Sequence, residues 1–359
     1  MIDVRITGLG TATPPLRVAQ EESYQAYVNM LPLSEKARAL LQRVFVANNS
    51  IGYRHFGMDS LGDVLQNSQD ELIARYQKYA VRTAVQAANR ALAEAGLAPE
   101  DVDGIVVNSC TGYLCPGLTS YVSEALGLRP EIRPYDLQGM GCGGAVPNLE
   151  TAYNYLQAHP DHDVLSIAVE ICSATIFHGE APDLLISNAL FGDGAAAVVL
   201  TNRLGQEGPC LKGFASGLYP QDRQHLYYRT EQSKLRNVLS VEVPVVGARR
   251  AEEVIGRLLD ESGITRRDVD HWILHPGGQK VIDALQQALA LPDEAVQSSR
   301  KVLYEYGNMS SASVLFVLDH VAGNGNGSGS GNGRVRPGDI GVMCSFGAGF
   351  GVYAALIEF

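Results

Sequence analysis

One cysteine of this sequence stands in a setting that suits a nucleophile. Cys142 lies in DLQGMGCGGAVPNLETAYNYL, where a strand-like approach ends among Gly139, Gly141, Gly143 and Gly144 and a helical pattern follows. A cysteine at such a turn sits at a helix N-terminus, where unpaired backbone N–H groups and the helix dipole favour a thiolate. The glycines let a substrate approach the backbone closely. The plain alternative is a buried structural cysteine in a glycine-rich turn. His275 ends the apolar run of HWILHPGGQKVIDAL, just before Gly277 and Gly278 and a restarted helix. That places an imidazole at a strand end, facing whatever the Gly-Gly turn lines. Asn308, in YEYGNMSSASVLFVLD, precedes Ser310, Ser311 and an apolar helical run. It is suited to cap that helix, which does not exclude a catalytic role.

These residues need elements to carry them. VRITGLG (4–10) reads as a strand. Residues 71–95 read as a long helix stopped by Gly96, with Pro99 beyond, and VDGIVVNS (102–109) as a buried strand. Helical and strand periods alternate to the end, which predicts α/β layers. The chain also repeats itself. RALAEAGLAPEDVDGIVVNS (90–109) matches GRLLDESGITRRDVDHWILHP (256–276), with Gly96 and Gly263 167 residues apart and Asp101-Val-Asp103 and Asp268-Val-Asp270 at the same spacing. That offset carries Asn108 onto His275. It also brings the helical segment after Cys142 close to the one after Asn308. The repeat predicts a duplicated α/β unit with a central site between its copies. The polar stretch near 201–210 divides it into 1–205, carrying the cysteine, and 206–359, carrying the histidine and asparagine. The glycine-rich run GNGNGSGSGNG (323–333) reads as an exposed, mobile loop without chemistry.

Composition bounds the function. The 359 residues are 46% hydrophobic and 19% charged, enough for a sizeable core and too apolar for a disordered chain. Twenty-eight basic against 39 acidic side chains give a net charge of −11. This disfavours nucleic acid or anionic lipid as a partner of the whole surface. Six cysteines without CxxC spacing fit neither a disulfide framework nor a structural zinc site. No metal is expected. The N-terminus lacks the pattern of a signal peptide, and no apolar stretch is long enough to span a membrane. A cytoplasmic protein is expected.

The motifs taken in order, GMGCGGA, ALFGDGAAA (189–197), LHPGGQK, YGNMSSAS and SFGAGFG, resemble the type III polyketide synthases. These are the chalcone synthase-like branch of the thiolase superfamily, and GMGCGGAVPNL looks bacterial. The resemblance spans essentially the whole chain. It implies a thiolase-like fold, a duplicated α/β unit layered αβαβα. It implies an acyltransferase that condenses an acyl starter thioester with malonyl-CoA, decarboxylatively and through an acyl-Cys142 intermediate, to a polyketide, pyrone or resorcinol-type product. His275 and Asn308 complete the triad. An ion pair with protonated His275 is expected to hold Cys142 as thiolate. Coenzyme A or carrier-protein thioesters are substrates, no cofactor is needed, and the chain forms a homodimer. Phe191 matches a gatekeeper phenylalanine. Cys110, Thr111, Cys172 and Thr175 match cavity-wall positions, and Cys115 matches a residue that reaches the partner's cavity. Gly277, Gly278 and Ser310 complete the expected substrate site.

The sequence departs from the family pattern in places. Asn237 stands where a second gatekeeper phenylalanine is expected, and Ala348 where proline is usual. Only Arg43 and Arg54 supply positive charge in the stretch 41–56 expected to meet the CoA phosphates. Three small wall cysteines suggest an open, apolar cavity and an aliphatic starter longer than acetyl, unless Tyr227 or Tyr228 refills the space. Two related enzymes compete: a 3-oxoacyl carrier-protein synthase III-like enzyme, and a ketosynthase joining two β-ketoacyl chains into an α-pyrone. A non-catalytic partner subunit is the alternative of a different class.

Overall fold

The computed structural model describes residues 2–47, 49–323 and 335–359, so the glycine-rich run 323–333 lies, apart from Gly323, outside the described residues. The first half of the chain runs β1 (Val4–Ala12), β2 (Leu16–Ala19), α1 (Gln20–Met30), α2 (Glu35–Leu41), β3 (Tyr53–Phe56), α3 (Gln69–Ala95), β4 (Gly104–Ser109), α4 (Leu118–Leu126), β5 (Arg133–Gln138), α5 (Ala145–Ala158), β6 (Asp163–Ile171), α6 (Pro182–Leu190) and β7 (Asp193–Thr201). The second runs β8 (Cys210–Leu218), β9 (Leu226–Glu231), β10 (Lys234–Leu239), α7 (Val243–Ser262), β11 (His271–Leu274), α8 (Gln279–Ala288), α9 (Gln297–Tyr306), α10 (Ser313–Ala322), β12 (Ile340–Gly347) and β13 (Gly351–Glu358).

Nine strands form one mixed sheet in the order β11-β12-β13-β8-β1-β7-β6-β4-β5. Read outward from the central β1–β8 pair, the sequence β1, β7, β6, β4 on one side mirrors β8, β13, β12, β11 on the other. Strands β4, β6 and β7 are buried on both faces, and alternate side chains serve different layers. On β7, Ala195, Ala197 and Val199 pack with Ala84, Ala87 and Ala91 of α3. Ala196, Val198 and Leu200 join Val146 and Leu149 of α5 and Leu315 and Val317 of α10. Trp272 and Leu274 of β11 turn instead toward Ile255 and Leu258 of α7. The two ends of this one sheet form separate layers: α3/α4, the β7-β6-β4 end, α5/α10, the β11-β12-β13 end, α7/α8, which is the layered αβαβα arrangement.

The repeat seen in the sequence has atomic form. The helix expected over 71–95 is α3. Ser68 caps it by accepting from the Glu71 N–H, while the Glu71 side chain accepts from the Ser68 N–H. Gly96 ends α3 and Gly263 ends α7, both left-handed, with φ of 68° and 70°. The Asp163 N–H donates to Asp103 Oδ2 at 2.9 Å, and the Ile340 N–H to Asp270 Oδ2 at 2.9 Å. In return the Asp103 and Asp270 N–H groups donate to the Asp163 and Ile340 carbonyls, each at 2.8 Å. Each aspartate thus ties the entry of one strand to its parallel neighbour.

A Cβ added at Gly96 or Gly263 would meet nothing within 4 Å, so substitution there costs backbone strain alone. Gly96→Ala and Gly263→Ala are each expected to destabilise by about 1 kcal/mol. The two losses should be equal within experimental error and additive. Urea denaturation of the single and double variants tests this; strongly unequal losses would argue against equivalent capping roles.

Candidate active site

Cys142 follows edge strand β5 and precedes α5, at the sheet end where parallel strands present their C-termini. It is buried, and the backbone around it is packed against β12. Ser345 Oγ donates to the Gly143 carbonyl at 3.2 Å. A Cβ on Gly347 would strike the Met140 carbonyl and stand 2.9 Å from the Cys142 nitrogen, so only glycine fits there. The second half of the chain therefore forms one wall of the cysteine turn.

His275 continues β11, its N–H donating to the Cys344 carbonyl at 2.9 Å. Its ring meets Phe346 edge to face at 6.3 Å, and a Cβ on Gly277 would stand 3.3 Å from its Nε2. The ring is buried, and among the described residues neither ring nitrogen has a hydrogen-bond partner. Buried polar atoms are seldom left unpaired. Two on one imidazole leave both a donor and an acceptor position open. Asn308 is oriented rather than free. Its Oδ1 accepts from the Ser310 N–H at 2.8 Å and its Nδ2 donates to the Gly277 carbonyl at 3.2 Å, leaving its second amide hydrogen for the Cys142 side. Ser310 takes the left-handed φ of 51° to make the first of these bonds. Asn308 and Ser310 are polar neighbours of the Cys142 thiol.

The electrostatics differ from the sequence expectation. Burial pushes the Cys142 thiol up to about 11, with the nearby Glu170 carboxylate adding to the rise and Ser310 and Asn308 opposing it. Burial pushes the imidazole of His275 down to about 3. Desolvation disfavours both ions. Both shifts run toward a thiol and a neutral imidazole, against the thiolate and imidazolium of the sequence expectation.

The expected wall residues divide. Cys110, Thr111 and Ser310 gather around Glu170, at the end of β6. Its Oε2 accepts from the Cys110 N–H at 3.0 Å and from Thr111 Oγ1 at 2.9 Å. Its Oε1 accepts from Ser311 Oγ at 2.5 Å and Ser310 Oγ at 3.4 Å. Cys172 and Thr175 line a cavity of about 20 Å³ with Phe191 and Asn237. Phe191 forms a backbone bridge to Asn308, whose N–H donates to the Leu190 carbonyl at 3.0 Å while its own carbonyl accepts from the Gly192 N–H at 2.9 Å. Gly277 and Gly278 form the turn beside His275. Cys115 is exposed on the loop after β4.

Two expectations about the entrance and cavity need correction. Arg54 does not meet solvent, and so cannot meet a phosphate. It is 2% exposed and donates to Gln20 Oε1 and to the Asn188 and Phe191 carbonyls, each at 2.8 Å. Burial lowers its pKa to about 9. The space expected from small wall cysteines is refilled by Tyr228. Its hydroxyl lies 3.4 Å from Thr175 Oγ1, in a setting it shares with Cys110 and Cys172. The sequence reading passed over Glu170 as well. The available signal was an acidic residue in DVLSIAVEI, an apolar strand run in which a charge needs several partners.

Comparison with known proteins follows this geometry. Residues 13–209 match the family model for FAE1/type III polyketide synthase-like proteins, and residues 212–358 match the C-terminal domain of chalcone and stilbene synthases. The chain is 33% identical over 354 residues to a 1,3,6,8-tetrahydroxynaphthalene synthase of Streptomyces peucetius subsp. caesius, covering 96% of this chain and 90% of that one. It is 30% identical to a 3,5-dihydroxyphenylacetyl-CoA synthase of Streptomyces toyocaensis, covering 99% and 90%. Among solved structures it resembles PKS-I of the brown alga Ectocarpus siliculosus, with TM-score 0.89, 27% identity and coverage of 100% and 98%. It also resembles 1,3,6,8-tetrahydroxynaphthalene synthase of Streptomyces coelicolor A3(2), with TM-score 0.87, 26% identity and 99% of each chain covered.

A neutral resting pair has a kinetic signature. Alkylation of Cys142 by iodoacetamide is expected to rise about tenfold per pH unit between pH 7 and 9, following the thiolate fraction. Glu170→Gln removes a negative charge beside the thiol and is expected to move the profile to lower pH. A wild-type rate that is flat from pH 5 to 8 would reveal a preformed ion pair and overturn this assignment.

Proposed function

The chain belongs to the type III polyketide synthase family, acyltransferases of the thiolase fold, and from that premise we propose that Cys142, His275 and Asn308 carry its decarboxylative Claisen condensation. The observation that supports the reading most is the imidazole. It is buried, with both nitrogens unpartnered, in a site that also holds an oriented amide and a thiol at a helix N-terminus.

Cys142 Sγ attacks the carbonyl carbon of the starter thioester while its proton passes to the neutral His275. The tetrahedral intermediate collapses, the C–S bond to coenzyme A breaks, and the departing thiolate takes that proton. Malonyl-CoA then loses CO₂, and the electron pair of the broken C–C bond becomes an enolate. A neutral imidazole keeps one N–H, and Asn308 has its second amide hydrogen on the Cys142 side. Both donate to the enolate oxygen, where charge develops. The enolate carbon attacks the acyl carbon on Cys142, a new C–C bond forms, and the cysteine thiolate leaves. This chemistry asks for no prosthetic group. The lowered pKa of His275 suits the second step, because a neutral donor stabilises the enolate without binding the malonyl carboxylate that must leave.

The remaining parts of the reading follow from the same premise. Phe191, Cys110, Thr111, Cys172, Thr175, Gly277, Gly278 and Ser310 surround the acyl chain, and Cys115 faces the partner's cavity. The two halves divide at 205/206. The site is cytoplasmic, and no described helix is long and apolar enough to cross a membrane. A homodimer is supported by β5, an edge strand exposed along most of its length that leads directly into the Cys142 turn. An open edge of this kind is a template for pairing. Tyr135 on it is 40% exposed, and Tyr113 on the neighbouring loop is 67% exposed. Helix α4, which follows that loop, is tied to β5 where the Thr119 N–H donates to Asp136 Oδ1 at 3.2 Å.

Cys142→Ala is expected to abolish chain extension. Cys142→Gln should retain malonyl-CoA decarboxylation, since His275 and Asn308 remain. Extended product from the alanine variant, read by mass spectrometry, would refute the covalent route. Light scattering at micromolar concentration should give twice the 38.5 kDa chain mass. Tyr135→Asp should shift it toward one chain. A wild-type monomer would sink the dimer.

A further inference from the structure

Arg54 occupies a place that neither half of the repeat explains. It lies on β3, in the two-stranded β2-β3 ribbon outside the nine-stranded sheet, paired with Val18. The sequence suggested a phosphate partner for it at the coenzyme A entrance. The structure gives it carbonyl oxygens instead. Its Nη1 donates to the carbonyls of Asn188 and Phe191, each at 2.8 Å. Its Nε donates to Gln20 Oε1 at 2.8 Å, and Gln20 Nε2 donates to the Ala189 carbonyl at 2.7 Å.

These carbonyls end a helix. The last carbonyls of α6 have no partner inside it. Those of Asn188 and Ala189 are taken by Arg54 and Gln20, and that of Leu190 by the Asn308 N–H at 3.0 Å. A cation is also favoured at this end of the helix dipole. The end of α9 meets the same ribbon. The Gly52 N–H donates to the Tyr304 carbonyl at 2.8 Å, and the ring of His55 stacks on Tyr306 at 5.9 Å. Phe191 and Asn308, where the chain leaves these two helices, pair as a backbone bridge. Arg54 fills the space beside that bridge. A Cβ on Gly307 would stand 2.8 Å from Arg54 Cγ, and one on Gly192 would stand 3.5 Å from Arg54 Cβ. The bridge rests on the arginine stem, and its Phe191 side hangs from the guanidinium.

We propose that Arg54 is a positioning residue for malonyl decarboxylation, acting through the Phe191–Asn308 bridge to set where the Asn308 amide points. It is 2% exposed and acts without touching substrate. A planar guanidinium presents fixed donors to two carbonyls and an amide at once, which a lysine ammonium on a flexible stem does not. Loss of this hold releases the bridge, and a misplacement of about 1 Å in such a network costs on the order of a hundredfold in rate. The proposal rests on the synthase reading above and adds the residue that aims its oxyanion donor.

The test separates decarboxylation from priming. Arg54→Met keeps an unbranched stem and removes the donors. Its kcat for malonyl-CoA decarboxylation, read as CO₂ release, is expected to fall by about tenfold or more, with KM within about threefold. Priming of Cys142 by hexanoyl-CoA, read as intact-protein mass, should stay within about twofold of wild type. In an Asn308→Ala background the same change should cost less than about twofold, because the amide it positions is gone. Arg54→Lys keeps the charge and should fail to restore the rate. A raised KM that lysine restores would mean that Arg54 binds the CoA phosphates. Equal losses in priming and decarboxylation, or full additivity with Asn308→Ala, would mean a general structural role. Any of these results, or an unchanged kcat, overturns the positioning role. Should Arg54→Met not fold, Arg54→Lys carries the same comparison. Absence of decarboxylation by the wild-type protein overturns the synthase reading itself, which separates the two outcomes.

Discussion

The site depends on one buried carboxylate. Glu170 accepts from Cys110 and Thr111 of the first half of the chain and from Ser310 and Ser311 of the second. Cys142 comes from one half, His275 and Asn308 from the other, so the geometry of the proposed triad is only as fixed as the joint between them. Taking a carboxylate out of water costs several kcal/mol unless hydrogen bonds replace the solvent. Here they come from hydroxyls and a backbone N–H instead of a cation. Burial still raises the Glu170 pKa, and those donors pull it back. A network of this kind is sensitive to any partner left unpaired. That sensitivity makes it suited to holding Ser310, and through the Ser310 N–H the Asn308 amide, in one conformation.

The same burial sets the chemistry. A site dry enough to protect an enolate from water also disfavours a standing thiolate and a standing imidazolium. On the proposed mechanism, charge in this pocket forms during reaction, when the acyl carbonyl and the donors of His275 and Asn308 are there to receive it. Glu170 sharpens this effect by raising the thiol pKa further. The helix N-terminus at Cys142 works in the opposite sense, and the balance falls on the neutral side.

Much of this was legible in the sequence, because its signals are local. Gly96 and Gly263 mark left-handed helix ends, and Asp103 and Asp270 mark strand entries. Their common spacing foretells the mirrored strand order. The glycines around Cys142 and after His275 foretell close backbone approach. What was not legible depends on side chains meeting across long separations. Arg54 reads as a basic residue near an entrance. Its burial follows only once the Phe191 and Asn188 carbonyls and Gln20 are brought around it. Tyr228 sits on a ribbon whose register decides whether its ring faces the cavity or solvent. Glu170 carries a signal, a charge in an apolar strand, but its partners lie about 60 and 140 residues away in sequence.

The internal repeat also places two differently satisfied polar side chains at one equivalent position. Asn108 occupies in the first half the position that His275 occupies in the second. Asn108 is satisfied: its Nδ2 donates to Ser311 Oγ at 2.8 Å, and its Oδ1 accepts from Asn148 Nδ2 at 2.8 Å. Asn148 in turn donates to the Ile167 carbonyl at 2.8 Å and accepts from Ser166 Oγ at 2.8 Å. Through Ser311 this chain of bonds ends on Glu170. His275, by contrast, has both ring nitrogens unpartnered. A polar side chain at the end of the first parallel strand of each half can either be consumed by the central layer or turned toward a ligand. The duplicated fold uses one copy each way. The satisfied copy packs against the Gly144 turn after Cys142, and the unsatisfied copy leaves a donor and an acceptor open for the substrate of the proposed reaction.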